Sequence, residues 1–149
     1  GVGGVVVVLG PKADGSDNVM AVGTGNIISA MKKQGVSRLV VQSSYPMSGS
    51  TEGMEFLRGA GMREEQLATV KPAIEDKMRQ EKLTRESGLE FLIVRPAILT
   101  EGPKTGRYQV GEKLEVRPTD TISRADVADF ILKSLEGGKW WNKTVTISH

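Results

Sequence analysis

Val5-Val6-Val7-Val8-Leu9 is the stretch of sequence that decides the fold. The run is β-branched and apolar on both alternating faces, as expected of a strand that helices cover on both sides of a parallel sheet. Gly10-Pro11 ends the run, and apolar residues at helical spacing follow over residues 17–34 before a left-handed C-cap at Gly35. The first unit is therefore predicted to be a central strand with a helix packed on it.

The same alternation of strand and helix continues along the chain. Further strands are predicted at residues 38–42, 91–94 and 144–147. Further helices are predicted at residues 62–70, from Pro72 to Ser87-Gly88, and from an N-cap at Ser123 to Gly137-Gly138. Alternating strands and helices require parallel pairing with right-handed crossovers. We therefore predict one α/β domain over residues 1–149, a partial Rossmann-like, doubly wound parallel sheet of about four strands with flanking helices.

The spacing of apolar residues also predicts which helix faces are buried. The residues expected to face the core are Ile74, Met78 and Leu83, and then Val127, Ala128, Ile131 and Leu135. Ser123 and Asp126 are spaced as an N-cap of capping-box type. Residues 43–61, which are polar and Gly-rich, are predicted to be a loop, and residues 97–120 a loop with short extended pieces. Loops of this length often carry binding sites.

The composition excludes several kinds of site and partner. Lys and Arg number 20 against 18 Asp and Glu, a net charge of +2, so no basic stripe exists to neutralise a nucleic-acid backbone. The absence of cysteine removes disulfides, thiolate catalysis and Cys-ligated metal, and it suggests a reducing compartment. The single histidine, His149, is expected to be a frayed terminus, which excludes a His-based triad. We predict no metal site and no nucleic-acid partner.

The longest apolar run, residues 5–9, is far too short to cross ~30 Å of hydrocarbon. It also lacks the basic leader and cleavage site of a signal peptide. No membrane contact is expected, and the predicted location is the cytoplasm or the stroma or matrix of an organelle.

The carboxyl ends of the predicted strands are the places to look for a ligand site. In doubly wound sheets ligands bind beyond these ends, here at residues 9–12, 42–47 and 95–100. Ser43 and Ser44 end the second strand, and a hydroxyl can both donate and accept a hydrogen bond. Serine pairs are also common at strand ends for structural reasons. Position alone leaves both roles open.

The sequence contains no Gly-rich turn that follows a strand and would hold a pyrophosphate. Gly1-Val2-Gly3-Gly4 runs into a strand, and Gly23-Thr24-Gly25 lies inside a helical pattern, which favours close helix packing. Lys77 follows Ala73 at the spacing of a Tyr-x-x-x-Lys acid pair, but the tyrosine is absent. Lys77 is therefore either a solvated helix lysine or a ligand for a ribose hydroxyl.

Several short motifs cover nearly the whole chain in the order found in a known family. They are Gly23-Thr24-Gly25-Asn26-Ile27-Ile28-Ser29-Ala30-Met31-Lys32 with Gly35-Val36, Arg85-Glu86-Ser87-Gly88-Leu89, Val94-Arg95-Pro96, Thr105-Gly106-Arg107-Tyr108, and Ile122-Ser123-Arg124-Ala125-Asp126-Val127-Ala128. In this combination the chain resembles the NmrA-like and the biliverdin-IX-beta or flavin reductase proteins. These are atypical short-chain dehydrogenases with an NAD(P)-binding domain.

The resemblance implies an oxidoreductase that binds NADP or NAD and delivers hydride to a flavin, quinone-like or other small acceptor. The cofactor-binding residues that it implies are Leu9, Gly10, Ser43, Ser44, Lys77, Pro96, Ala97 and Ile98. Ser44, near the nicotinamide, and Lys77, in its Lys77-x-x-x-Glu81 setting, are the implied catalytic residues. The alternatives are a non-catalytic NmrA-like module that senses dinucleotides or binds a partner, and a truncated chain without binding activity.

Two departures from the family pattern bear on the site. Ala73 stands in place of the catalytic tyrosine, so the proton would have to come from solvent or substrate. The family's first three strands, with the Gly-rich loop, would precede this sequence, which then corresponds to the C-terminal two-thirds of the Rossmann domain. Its first strand would be an unprotected, flat, hydrophobic edge, so we expect either a homodimer through residues 4–9 or a longer parent protein.

Overall fold

The computed structural model describes residues 2–12 and 18–149, which form alternating strands and helices. In chain order these are β1 (Val5–Val7), α1 (Val19–Gln34), β2 (Arg38–Gln42), α2 (Thr51–Gly59), α3 (Glu64–Arg85), β3 (Glu90–Pro96), β4 (Ile98–Thr100), β5 (Gln109–Gly111), β6 (Thr121–Ser123), α4 (Arg124–Gly137) and β7 (Lys143–Ser148). Gly35 ends α1 in the left-handed region at φ 69°, as predicted. Gly1 and Asp17, the predicted first residue of α1, lie outside the described residues.

A five-stranded sheet in the order β1-β2-β3-β7-β5 forms the centre of the fold. Strands β1, β2, β3 and β7 are parallel, in a register that places Val7, Val41 and Ile93 side by side. Strand β5 runs antiparallel beside β7, and β4 and β6 form a separate parallel pair. The predicted fold class, an α/β sheet with about four parallel strands and flanking helices, is confirmed.

Alternate residues of the central strands pack into two apolar clusters on opposite faces of the sheet. One cluster joins Leu39, Val41 and Ile93 to α1. The other joins Val40 and Val94 to α2 and α4. All five side chains are completely buried, and each such burial is worth about 1.5–3 kcal/mol of transfer free energy. Cover on both faces explains why these strands are continuous apolar runs.

The bounds of two segments differ from the prediction. Residues 43–61 are not a continuous loop, because they contain α2, which begins where the Ser50 Oγ accepts a hydrogen bond from the Gly53 N–H at 3.0 Å. Ser and Gly are equally typical of turns, so this cap is hidden in the sequence. Strand β1 ends at Val7 instead of residue 9, and Val8 is 64% exposed.

Helix α3 is continuous through the position where the sequence predicts a new helix. Pro72 lies inside it, so the separate helix expected at 62–70 is part of the same element. A proline removes one backbone hydrogen bond from a helix interior. Leu67 and Ile74, one on each side of the proline, are both buried in the same apolar cluster, and this packing holds the two halves together.

The buried face of α3 is more polar than predicted. Met78 and Leu83, which were expected in the core, are 47% and 40% exposed. Gln80 is fully buried instead, and its Nε2 donates to the Thr24 Oγ1 of α1 at 3.1 Å. Ala128 of α4 is likewise exposed. For Met78 and Leu83, periodicity fails because α3 packs against α1 partly through hydrogen bonds instead of an apolar stripe.

Strand β1 is one edge of the sheet formed by the described residues. It pairs with β2 alone in that part of the chain, and Val6 is 37% exposed. An apolar groove of about 480 Å³, whose lining includes Val5 and Met31, lies beside it. Such an edge offers unpaired backbone groups to a further strand. The homodimer through residues 4–9 stays a prediction.

Candidate functional site

The carboxyl ends of β2 and β3 stay joined beyond their last paired residues. The Ser43 N–H donates to the Val94 carbonyl at 2.7 Å, and the Tyr45 N–H donates to the Pro96 carbonyl at 2.9 Å. Because the two strands are parallel neighbours, both chains leave the sheet at the same edge. This is the edge at which the sequence predicts a site.

A hollow of about 140 Å³, called here the tip hollow, lies at this edge. Its lining includes the predicted cofactor-binding residues Ser43, Ser44, Pro96, Ala97 and Ile98. The Ala97 N–H donates to the carbonyl of Ile147 on β7 at 3.0 Å, which fixes the turn out of β3. Ile98 is 43% exposed and presents apolar surface. The structure therefore brings the strand-end serines and the residues after β3 together.

The other two strand-end candidates, Leu9 and Gly10, do not line the tip hollow. Leu9 packs against the apolar cluster beneath α1. A Cβ placed on Gly23 would lie 2.6 Å from the Leu9 Cδ1, so Gly23 allows α1 to approach the chain after β1. The close-packing interpretation of Gly23-Thr24-Gly25 is thereby confirmed. Around Gly10 there is open space.

The two strand-end serines have different surroundings. Ser43 is 4% exposed, and its hydroxyl donates to the Glu81 Oε1 at 2.6 Å. Ser44 is half-buried, and its Oγ accepts a hydrogen bond from the Met47 N–H at 3.2 Å. An accepting hydroxyl keeps its own proton for another acceptor. Ser43 is therefore held by the protein, whereas Ser44 retains a donor for a ligand.

Glu81 on α3 is the centre of a buried ion network that the sequence does not reveal as part of the site. Its carboxylate accepts hydrogen bonds from Arg95 Nε at 2.9 Å and Nη2 at 2.7 Å, and from Arg85 Nη2 at 2.9 Å. Burial opposes ionisation, but the hydrogen bonds from Arg95 and Ser43 and the charge of Arg85 hold the pKa of Glu81 below its usual value. The spacing to Arg85 is a recognisable helix pair, whereas Arg95 gives no such signal.

Lys77 lies one helical turn before Glu81 and is only 7% exposed, so it is not a solvated surface lysine. Burial lowers the pKa of its ammonium, and the neighbouring carboxylates of Glu81 and Asp76 oppose that shift. No side-chain hydrogen bond joins Lys77 to residues 2–12 or 18–149. The stem of the side chain is buried while the ammonium keeps some contact with solvent, so a ligand at this point could supply an acceptor for it.

Asp76, next to Lys77, occupies the N-terminus of α1. Its carboxylate accepts hydrogen bonds from the Met20 N–H at 3.0 Å and the Ala21 N–H at 3.1 Å. A protein carboxylate therefore stands where a helix would otherwise attract a phosphate. In the described part of the chain no Gly-rich turn follows a strand, since Gly4 precedes β1. The Met20 and Ala21 N–H groups are taken by Asp76 and are not available to a pyrophosphate.

Asp126, at the start of α4, organises the loop between β4 and β5. Its Oδ1 accepts from the N–H groups of Thr105 and Gly106, both at 2.9 Å. The expected frayed terminus at His149 is wrong, because its Nε2 lies 2.7 Å from the Asp126 Oδ2. The Ser123 Oγ caps α4 as predicted, at 3.1 Å from the Asp126 N, but the Asp126 carboxylate serves the loop instead of completing a capping box. Burial opposes ionisation of Asp126, but these bonds hold its pKa well below its usual range.

Asp129, one turn further along α4, anchors the same loop. Lys104 Nζ lies 2.7 Å from its Oδ1, and the Tyr108 hydroxyl donates to its Oδ2 at 2.8 Å. Lys104, Lys133 and Tyr108 together hold the pKa of Asp129 well below its usual range. Residues 105–108, which the sequence matched to the family only as a motif, are thus fixed together with Lys104 by two carboxylates of α4.

In residues 2–12 and 18–149 no three His, Cys, Asp or Glu side chains are placed to hold a metal ion. Within the same ranges no helix combines the length and apolarity needed to span a membrane.

The profile of a family described as NAD(P)H-binding matches residues 1–137. The chain belongs to this NAD(P)H-binding family. The match covers the strand tips, the whole of α3 and the anchoring carboxylates of α4. The predicted resemblance to NAD(P)-binding proteins is confirmed, and NADP and NAD stay equally open as the bound form.

Two curated relatives of this NAD(P)H-binding domain are longer than the chain. An uncharacterized chloroplastic protein of Arabidopsis thaliana is 33% identical over 113 residues, which are 76% of this chain and 39% of that protein. A UPF0659 protein of Saccharomyces cerevisiae is 30% identical over 137 residues, which are 88% of this chain and 55% of that protein. The domain thus spans between about two fifths and just over half of these relatives.

Solved structures share the fold at low sequence identity. The anaerobillin reductase ChuY of Escherichia coli O157:H7 has a TM-score of 0.75 at 22% identity, covering 97% of this chain and 62% of that one. A candidate NADH-flavin reductase of Streptococcus pneumoniae has a TM-score of 0.71 at 19% identity, covering 100% and 72%. A short-chain dehydrogenase/reductase of Veillonella parvula, solved with NADP, has a TM-score of 0.68 at 16% identity, covering 89% and 60%. The Rossmann-like architecture of the domain agrees with all three.

Proposed function

We propose that this domain carries the nicotinamide side of a reductase that transfers hydride from NADPH or NADH to a flavin, quinone-like or other small acceptor. The proposal depends on one observation, the convergence of Ser44, Pro96 and Ala97 in the tip hollow. Two structural neighbours, an anaerobillin reductase and a candidate NADH-flavin reductase, support it. In keeping with the resemblance, we place the domain among NmrA-like or flavin-reductase-like proteins.

The protein's part in this reaction is to orient the reactants and exclude water. The bound cofactor supplies a hydride, which carries two electrons, and the acceptor takes its further proton from solvent. Ser44 would donate to the nicotinamide carboxamide through the proton that its contact with Met47 leaves free. Pro96 and Ile98 would cover one face of the ring with apolar atoms. No protein acid is required, which agrees with Ala73 at the position of the family tyrosine.

Lys77 would hold the cofactor ribose. Its side chain is largely buried and its ammonium makes no hydrogen bond within the described ranges, so a ribose hydroxyl would replace part of the hydration lost on folding. Lys77→Met keeps much of the side-chain volume and removes the charge. We expect it to raise the cofactor KM about tenfold while leaving the folded state as stable or more stable, since the buried charge is costly. A raised KM without a loss of stability would show that Lys77 binds the cofactor, whereas a structural role would lower the stability as well.

The sign of the stability effect follows from the pKa of Lys77. Because burial lowers that pKa, the folded wild type releases a proton more readily than the unfolded chain, and its stability rises with pH toward the ordinary lysine value of about 10.4. The stability advantage of Lys77→Met is therefore expected to be largest near neutral pH and to shrink as pH rises. A loss of stability in this variant at pH 7 would contradict the assigned role.

The enzymatic test follows oxidation of NADPH, NADH and reduced nicotinamide mononucleotide at 340 nm, with riboflavin or a quinone as acceptor. Ser44→Ala is expected to lower kcat/KM about tenfold, because one hydrogen bond to a ligand is worth about 1.4 kcal/mol. Ser29→Ala, at an exposed serine of α1, is the matched control and should leave the rate unchanged. Unaltered activity in Ser44→Ala would argue against the tip hollow as the site.

Dinucleotide sensing without turnover is a second candidate function. It is favoured by Ala73, which cannot serve as the proton donor of the wider dehydrogenase group. Saturable dinucleotide binding in the micromolar range, with no acceptor reduced, would support this function over the reductase. Failure to bind any of the three reduced nucleotides would refute both.

A further inference from the structure

A cleft of about 570 Å³ beside α3 is lined by more positive than negative charge. Its charged lining residues are Arg79, Lys82, Arg85, Arg95, Glu75 and Glu81. Four cations against two carboxylates give a net charge of +2, and the space is called here the basic cleft. The hydride transfer proposed above does not use it.

Two of the four cations are held in fixed positions. Glu81 binds Arg95 through both carboxylate oxygens and Arg85 through one. A guanidinium has five N–H donors, of which Arg95 uses those of Nε and Nη2 here, and Arg85 uses those of Nη2, on Glu81 and Thr144. The remaining donors make no hydrogen bond to the described residues. With side chains 20% and 41% exposed, Arg95 and Arg85 offer oriented donors to an incoming anion.

The other two cations lie on the exposed face of α3, three residues apart. Arg79 donates from Nη2 to the Asn18 Oδ1 at 2.7 Å, a neutral partner that leaves its charge uncompensated. Lys82 is exposed and makes no ion pair with the residues that the structure describes. Residues three apart on a helix lie on one face, so both charges act on the same cleft.

One hydrogen bond separates the basic cleft from the tip hollow. Ser43 lines the hollow, Glu81 lines the cleft, and the Ser43 hydroxyl donates to Glu81 at 2.6 Å. Met78, which is 47% exposed, adds apolar surface to the cleft wall. The two spaces are therefore neighbours, and a molecule with its reactive ring at the strand tips would have to extend past this hydrogen bond to place a side group among the cations.

We propose that the basic cleft binds the anionic group, a carboxylate or a phosphate, of the electron acceptor, and so selects acidic ring compounds over neutral ones. Arginine pairs with either group through two parallel hydrogen bonds, which gives geometric selection as well as attraction. The identity of the ligand as an acceptor rests on the proposed reductase function. The anion preference itself does not, because it can be measured without any turnover.

The experiment compares molecules that differ only in their anionic groups. FMN and riboflavin differ by one phosphate, and biliverdin and its dimethyl ester differ by two carboxylates. Binding to the 149-residue chain is measured by fluorescence titration in the absence of NADPH and NADH. The test variant is Arg79→Gln/Lys82→Gln, and the control is Lys32→Gln/Lys33→Gln, which removes the same charge from exposed positions of α1.

We expect the wild type to bind the acidic member of at least one pair about tenfold more tightly than its neutral counterpart. The test variant should lose that preference, and the control should keep it. Equal affinity for both members of each pair, or a preference that survives in the test variant, would overturn the proposal. A separate titration with NADPH and NADH completes the test: a test variant that loses only a preference for NADPH would also overturn the proposal, because the cleft would then hold the cofactor's 2′-phosphate.

The riboflavin assay keeps this proposal distinct from the function on which it rests. Riboflavin carries no anionic group, so its reduction tests hydride transfer alone. Anion-dependent binding without riboflavin reduction would refute the reductase and leave the cleft assigned as an anion site. Riboflavin reduction without anion-dependent binding would support the reductase and refute the anion site in the basic cleft.

Discussion

Glu81→Gln is the substitution that best tests how the site is held together. Glutamine keeps the size of the side chain and one carbonyl acceptor, but it replaces the second oxygen by an NH₂ group that faces N–H donors. Ser43, Arg85 and Arg95 all donate to the Glu81 carboxylate. The variant therefore loses hydrogen bonds and leaves two guanidinium charges without their counter-charge.

The expected loss of stability follows from the burial of the partners. Removing one member of a fully buried ion pair costs about 3–5 kcal/mol, whereas an exposed pair is worth about 0.2–1 kcal/mol. Glu81 is 2% exposed, but Arg95 and Arg85 are 20% and 41% exposed and keep part of their hydration. We therefore expect a loss of about 2–3 kcal/mol. For a chain of 149 residues the unfolding entropy is about 0.3 kcal/mol/K, so Tm should fall by about 6–10 °C.

The pH dependence gives this prediction a second readout. The folded-state pKa of Glu81 is lowered, so its contribution is fully present above the unfolded value of about 4.3 and is lost as pH falls through the folded pKa. The difference between wild type and Glu81→Gln should thus be widest near pH 7 and should close in strong acid. Both proteins are followed by calorimetry from pH 3 to pH 8.

Glu86→Gln serves as the matched control. Glu86 lies at the end of the same helix and is exposed, so its neutralisation should change stability by less than about 0.5 kcal/mol. A Glu81→Gln variant as stable as this control at pH 7 would refute the reasoning. A difference that stays constant down to pH 3 would refute its electrostatic cause.

Three further predictions concern the loop, helix α2 and the sheet edge. Asp126→Asn should make limited proteolysis within residues 103–108 several-fold faster than in the wild type. The asparagine side chain has one accepting oxygen, whereas both oxygens of Asp126 accept hydrogen bonds from this loop. Equal cleavage rates would contradict the anchoring role. Gly53→Ala should lower the free energy of unfolding by about 1–3 kcal/mol in a urea titration, since the new Cβ would lie 2.6 Å from the Tyr45 carbonyl oxygen. An unchanged free energy would show that α2 can shift. If the β1 edge pairs in a homodimer, light scattering will give twice the chain mass and Val6→Lys will halve it, whereas a wild-type monomer would contradict the dimer.

The fold was predictable to the extent that it depends on neighbours in sequence. Strand β2 has the predicted bounds because its apolar run is set off sharply by the polar residues around it. Ser123 caps α4 as predicted because cap and acceptor are three residues apart. Pro72 misled the prediction because its local cost is outweighed by packing partners that local spacing does not show.

The site was predictable only at the strand tips. Parallel neighbours deliver their carboxyl ends to one edge, so Ser43, Ser44 and the stretch 95–100 follow from the order of the elements. Within that stretch the family resemblance singles out residues 96–98. Leu9 and Gly10 lie outside the tip hollow because β1 ends at Val7, before it reaches them. No periodicity predicts these differences, because they depend on how far a particular strand continues.

The sequence by itself determines the alternation of strand and helix, the two-sided burial of the sheet, the caps at Gly35 and Ser123, and membership of an NAD(P)H-binding family. Tertiary structure alone decided that Glu81 meets Ser43 and Arg95, which are 38 and 14 positions away along the chain, and that His149 meets Asp126 across 23. The physical reason is that caps and periodicity are set by bonds within one turn or one strand. A contact between distant residues depends instead on strand register and helix placement, which the whole core fixes together.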